Sequence, residues 1–147
     1  MQITIRRAGE ADFPAIIALI REFAEFQKTP DRVHNSVEQM QADKDLFICF
    51  VAEDAQQQIV GYAACFFAYY TWSGRNLYLD DLYVKESPRG YNIGTKLLYK
   101  VIDHAKASNC KKVRWQVSNW NTPAIHFYKK MGAWIDDVEL NCHLELK

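Results

Sequence analysis

The chain has 147 residues, a length suited to one domain, residues 1–147, that buries about 68–70% of its unfolded surface around a single core. Its 18 Lys and Arg balance its 18 Asp and Glu, so overall charge supplies none of the long-range attraction that nucleic acid or an anionic membrane requires; only a local patch would escape that count. Met1 leads within five residues into a strand-like Gln2-Ile3-Thr4-Ile5-Arg6, with neither the apolar centre of a signal peptide nor a membrane-length apolar run, which predicts a cytoplasmic protein.

Ile3 and Ile5 alternate with polar neighbours and predict a first strand. A helix is predicted from about Asp12 to Phe26, with Phe13, Ile16, Ile17, Ile20 and Phe23 at helical spacing and Pro14 tolerated in the first turn. Gln27-Lys28-Thr29-Pro30-Asp31 breaks it, and Ser36-Val37-Glu38-Gln39 reads as a capping box for a short second helix ending near Asp43. Helix, loop and helix together predict one wall of a cleft, with Phe26 and Gln27 at its rim as candidate substrate contacts.

Phe47 to Ala52 and Ile59 to Ala68 are apolar runs joined by a polar linker, an antiparallel hairpin expected in mid-sheet. Tyr69 to Asn76 reads as an aromatic loop, whose Tyr70 and Trp72 either line a ligand cleft or pack against a neighbouring subunit. Leu77 to Val84 is the central strand. The next helix runs from Ile93 to about Ser108, burying Ile93, Leu97, Leu98, Val101, Ile102 and Ala105. A strand over Lys112 to Val117 follows, then a short helix with Thr122 as N-cap and Pro123 in its first turn, stopped by Gly132. Leu140, Cys142, Leu144 and Leu146 alternate in a final strand. The order β-α-α-β-β-β-α-β-α-β defines an α/β (α+β) class.

Cys49, Cys65, Cys110 and Cys142 lie in apolar segments without the close pairing of zinc or redox motifs, which predicts reduced, packed thiols. No two of His34, His104, His126 and His143 stand at ligand spacing, so no metal is expected.

The segment between the central strand and its helix, Arg89-Gly90-Tyr91-Asn92-Ile93-Gly94-Thr95, places free backbone N–H groups at the positive end of a helix, a candidate anion cradle. A Walker A loop is excluded, because three residues separate Gly90 from Gly94 and Thr95 intervenes before Lys96. The dinucleotide fingerprint is absent. Arg89, Asn92 and Gly94 resemble the pyrophosphate motif Arg/Gln-x-x-Gly-x-Gly/Ala of the GNAT superfamily of N-acetyltransferases, with Asn92 replacing the middle glycine. Asn enters left-handed conformations at lower cost than other non-glycine residues, so the turn is expected to persist.

A second segment, Asn121-Thr122-Pro123-Ala124-Ile125-His126-Phe127-Tyr128, with Gly132-Ala133 beyond it, is similar to the other GNAT signature, Asn-x-x-Ala-x-x-Phe-Tyr-x-x-x-Gly-Phe, with Asn121, Ala124, Phe127, Tyr128 and Gly132 in register. Trp72 to Asp81 and the Arg-Gly-Tyr-Asn-Ile-Gly loop resemble the diamine (spermidine/spermine, thialysine) acetyltransferases, with Asp80-Asp81 where those enzymes carry Glu-Asp. The resemblance implies a central mixed, mostly antiparallel sheet flanked by helices, and acetyl-CoA as co-substrate. It assigns the pyrophosphate to the residues from Arg89 to Thr95 and the pantetheine to Asn121 and Ala124. Tyr128 falls near the thioester sulphur, and the backbone of Leu82, Tyr83 and Val84 at the thioester carbonyl.

An alkyl amine has a pKa of roughly 10 and arrives protonated, so a base is required. Asp80 is the expected base, acting through water, with Asp81 holding the cation and Tyr128 protonating the departing thiolate. A solvated acidic pair at a strand end is the competing reading. The expected function is acetyl transfer by direct attack of a small diamine, polyamine or lysine analogue. The alternatives are acetylation of a protein lysine or an amino-acid amine, and a non-catalytic acyl-CoA-binding module. A homodimer is expected from the aromatic loop, the apolar tail and the resemblance, with no nucleic-acid or membrane partner.

Overall fold

The structure is a computed structural model that describes residues 2–86 and 91–146 and comprises two compact units, Met1–Trp115 and Gln116–Lys147. The first unit runs β1 (Thr4–Arg7), α1 (Phe13–Phe26), α2 (Val37–Ala42), β2 (Ile48–Glu53), β3 (Ile59–Tyr70), β4 (Gly74–Val84), α3 (Ile93–Ala107) and β5 (Val113–Arg114). The second contains α4 (Thr122–Lys130).

The five strands form one sheet in chain order. β1 to β4 are antiparallel neighbours, and β5 joins β4 in parallel through Leu77↔Val113 and Tyr78↔Arg114. The β2–β3 hairpin is the one expected from the apolar runs, and the sheet is the mixed, mostly antiparallel one that the family resemblance implied.

Because side chains alternate along a strand, β2 sends Cys49 and Val51 to one face and Phe50 to the other. On the first face Cys49, Val51 and Tyr62 pack with Phe13, Ile16, Ile17 and Leu19 of α1 and Met40 of α2. On the second, Phe50 meets His104 of α3 edge-on at 5.5 Å, and α3 buries Ile93, Leu97, Leu98, Val101 and Ala105. Each large apolar side chain so buried stabilises the fold by about 1.5–3 kcal/mol. Gly61 permits the approach of α3: a Cβ there would lie 3.1 Å from the Tyr83 carbonyl oxygen and 3.3 Å from Leu97 Cδ1.

Ser36 caps α2 as expected, its Oγ accepting from the Gln39 N–H at 3.1 Å, while the Gln39 side chain turns forward to Asp43. Three expectations change. The aromatic loop shrinks to a turn over residues 71–73, because the ladder continues through Tyr69↔Arg75 and Tyr70↔Gly74. The strand after α3 keeps a ladder only at Val113–Arg114.

The final strand does not form among the described residues, and Leu140, Leu144 and Leu146 stand 86%, 87% and 90% exposed. Alternation specifies a strand only where a neighbouring strand and a buried face receive it. In the same segment Cys142 is exposed rather than packed, whereas Cys49 and Cys65 are buried, which pushes both thiols up to about 12.

Candidate active site

β4 departs from regular pairing at one point. Ala64 pairs with Asp81 and Cys65 with Leu79, so Asp80 is an extra residue with no partner opposite. A bulge of this kind kinks the strand and takes the extra residue out of the ladder, exposing backbone polar groups at the kink. Asp80 is exposed and Asp81 half-buried beside it. The pair thus sits within β4, inside the central strand expected over Leu77 to Val84, and not at a strand end as the competing reading had it.

Asp81 receives the Tyr62 hydroxyl on Oδ2 at 2.5 Å. Burial pushes the Asp81 carboxyl up to about 6; the Tyr62 bond pulls it down and the charge of Asp80 adds to the rise. The protein packed around the bulge also partly desolvates the Asp80 carboxyl and raises it, although the residue keeps a solvent-exposed surface. Both groups therefore titrate closer to neutrality than an ordinary aspartate, as a proton acceptor working near neutral pH requires.

Further along β4, the Tyr83 hydroxyl donates to Glu22 Oε2 at 2.6 Å, and its ring stacks on Phe23 at 4.9 Å. Lys85 Nζ adds a 3.2 Å bond to Glu22 Oε1. These contacts tie the last turns of α1 to the strand. Phe26 ends α1 four residues after Glu22 and is exposed, and Gln27 is the C-cap of that helix.

At the start of α3, Asn92 adopts the left-handed conformation expected of it, φ 53° and ψ 37°, and its side chain makes no cap hydrogen bond. The first helical bond runs from the Lys96 N–H to the Asn92 carbonyl at 2.9 Å, so the N–H groups of Ile93, Gly94 and Thr95 precede the helical ladder. An uncapped helix start behind a left-handed turn fits a phosphate. A Cβ on Gly94 would meet Leu82 Cδ2 at 3.7 Å and Val84 Cγ2 at 3.8 Å, so that side of the glycine faces β4. Arg89 and Gly90 lie outside the described residues; Tyr91 is partly exposed.

Two candidates lie elsewhere. Tyr70 pairs with Gly74, which stands six residues or roughly 20 Å of strand before Asp80, and Trp72 lies beyond it in the turn, fully exposed. The cation over the Tyr70 ring is Arg114, at 4.5 Å. Neither ring flanks the carboxylate pair of its own chain, because β3 and β4 extend past the expected loop and carry both rings away. The nearer aromatic is Tyr78, two residues before Asp80 and stacked on Phe66 at 5.2 Å. Its phenol is raised by burial and by the charge of Asp80. Tyr78 is not among the residues singled out from the sequence, although its spacing of two from Asp80 is a signal that could have found it; Tyr62, 19 residues from Asp81 in sequence, carried no such signal.

In the second unit, Asn121 rather than Thr122 is the N-cap of α4, its Oδ1 accepting from the Ala124 N–H at 3.3 Å. The cap engages the oxygen, so the amide nitrogen is the end that can donate to a ligand. Tyr128 meets Phe127 edge-on at 5.8 Å, and burial raises its phenol.

The five-stranded mixed sheet flanked by helices, with its bulge in β4, has the fold of solved acetyltransferase structures. The profile of the acetyltransferase (GNAT) family matches residues 13–133, and the chain belongs to that family. It is 41% identical over 142 residues to the thialysine N-epsilon-acetyltransferase of Bos taurus, covering 89% of this chain and 84% of that protein. It is 32% identical over 150 residues to the spermidine/spermine N(1)-acetyltransferase-like protein 1 of Homo sapiens, covering 95% of this chain and 22% of that protein. The thialysine relative is an N-acetyltransferase, which supports acetyl transfer to a small-molecule amine as the reaction class. Among solved structures, an aminoglycoside acetyltransferase from an uncultured soil metagenomic sample shares the fold with a TM-score of 0.81 at 24% identity, covering 99% of this chain and 97% of its own. A predicted acetyltransferase with acetyl-CoA from Clostridium acetobutylicum superposes with a TM-score of 0.78 at 22% identity over 97% and 96% of the two chains.

Proposed function

We propose that the protein is an acetyl-CoA-dependent N-acetyltransferase whose acceptor is a primary amine of a small diamine, polyamine or lysine analogue. The observation that carries this reading is the Asp80–Asp81 pair at the β4 bulge, both carboxyls raised, on the strand that leads to the uncapped start of α3. The thialysine and spermidine/spermine relatives support a small amine as acceptor.

Acetyl-CoA, when bound, supplies the acetyl group as a thioester. The N–H groups of Ile93, Gly94 and Thr95 would hold its pyrophosphate, with Arg89, Gly90 and Tyr91 completing the motif. Asn121 and Ala124 are assigned to the pantetheine by their place in the second motif. The Leu82, Tyr83 and Val84 backbone is assigned to the thioester carbonyl; as successive strand N–H groups alternate in direction, only those pointing away from β3 would be free to stabilise developing negative charge. Asp81 attracts the ammonium, and Asp80, exposed to water, takes its proton; such proton transfer contributes about 10²- to 10⁴-fold. Tyr128 is assigned to protonate the leaving thiolate, a smaller contribution because a thiol of pKa about 8.5 leaves readily.

We also propose a cytoplasmic homodimer. Trp72 and Tyr69, 101% and 78% exposed at the β3–β4 turn, and the exposed leucines of the tail support a second copy as their cover. Among the described residues no helix is long and apolar enough to cross a membrane.

Release of free thiol from acetyl-CoA, measured across diamines, polyamines, lysine analogues, amino acids and lysine peptides, tests the reading. Turnover confined to small primary amines is expected. Turnover with lysine peptides alone would transfer the site to protein substrates, and coenzyme A binding without turnover would make the chain a binding module.

A further inference from the structure

Among the described residues Tyr62 is the largest fully buried side chain, and its hydroxyl has a carboxylate, Asp81, as its partner. A phenylalanine would fill the same core space between α1 and the sheet without the cost of burying a hydroxyl. The hydroxyl therefore serves the carboxylate. Its geometry is fixed: Tyr62 pairs with Tyr83 across the ladder, one diagonal from Asp81, and its ring is held in the cluster with Ile16, Ile17 and Val51. Bound on Oδ2, Asp81 has Oδ1 left as its open oxygen.

We propose that Tyr62 is a positioning residue for the acceptor amine, holding Oδ2 of Asp81 so that Oδ1 meets the incoming ammonium as an ionised acceptor. The inference rests on the functional reading above. The titratable groups facing Asp81 are Tyr62 on β3, Asp80 beside it on β4 and Cys49 on β2. From α1, Glu22 reaches β4 two residues on but is engaged by Tyr83 and Lys85, and α2 contributes the apolar Met40. Of these groups only Tyr62 donates a hydrogen bond to the carboxylate. A donor bond favours the ionised form, so its removal leaves burial and the charge of Asp80 unopposed.

The test is Tyr62→Phe, alone and combined with Asp81→Asn, with a thermal melt of each variant to confirm folding. In Tyr62→Phe, kcat/KM for the acceptor at pH 7 should fall by about ten-fold, and its acid limb should move upward by roughly one pH unit. In the Asp81→Asn background the same change should alter kcat/KM by less than about two-fold, since the shared route is already cut. A pH-independent loss, or an undiminished loss in the Asp81→Asn background, would overturn the proposal. A second readout needs no turnover: the carboxyl carbon-13 resonance of Asp81, assigned by its loss in Asp81→Asn, should titrate at higher pH in Tyr62→Phe. An unchanged midpoint refutes the positioning role even in an active enzyme, and a shifted midpoint in a protein that acetylates nothing refutes only the functional reading.

Discussion

The Tyr62 hydroxyl and Asp81 Oδ2 lie 2.5 Å apart across β3 and β4, so the fold holds a carboxylate at the edge of its core and keeps it there by one donor. That placement costs stability. The Asp81 carboxyl is raised from 3.8 to about 6, so the folded state binds its proton more tightly than the unfolded chain between those values. The stabilisation is fully present below pH 3.8 and is lost as pH rises through about 6.

Asp81→Asn, which keeps an acceptor for Tyr62, should accordingly stabilise the fold above pH 6 by about 1–2 kcal/mol while lowering kcat/KM. Below pH 4 the gain should vanish. Chemical denaturation at pH 7.5 and at pH 4 measures both, and an Asn variant less stable at pH 7.5 would show that the buried charge is not the cost.

His104 gives the opposite slope. Its Nε2 is buried without a partner, and burial, with Arg7 and Lys100 adding, lowers its pKa from 6.5. The unfolded chain then binds the proton first, so this contribution to stability is complete above pH 6.5 and is lost as pH falls toward the lower folded value. His104→Gln should flatten the decline in melting temperature between pH 6.5 and 5; an unaltered decline assigns it to other groups.

The start of α3 separates two effects. Asn92→Gly should preserve coenzyme A affinity, because glycine adopts the left-handed turn freely, whereas Asn92→Val should destabilise by about 1–2 kcal/mol and weaken binding. Gly94→Ala should be tolerated, since its Cβ has ordinary contacts with Leu82 and Val84, while Gly94→Trp should weaken binding by prising α3 from β4. Calorimetry with coenzyme A reads each variant, and equal affinity for Asn92→Val and the parent protein would remove the cradle assignment.

Elements with a strong period were legible in the sequence, and the details that build the site were not. The buried faces of α1 and α3 and the left-handed Asn92 follow from local residue chemistry. The bulge at Asp80 does not, because an inserted residue is defined only against the partner strand, where Ala64 and Cys65 skip it. Tyr62 read as one more apolar strand residue until the ladder brought Asp81 within reach. The tail pattern at Leu140 to Leu146 promised a strand, but alternation cannot say which neighbour completes the ladder.

The base assignment is tested most directly by the ratio of kcat/KM for Asp80→Asn to that of the parent protein, followed from pH 7 to pH 10 with a diamine acceptor. Near neutral pH the loss should be about 10²-fold, and it should shrink at high pH, where the free amine no longer needs a base. A loss equal at every pH would contradict proton transfer by Asp80, and full activity would remove that residue from the mechanism.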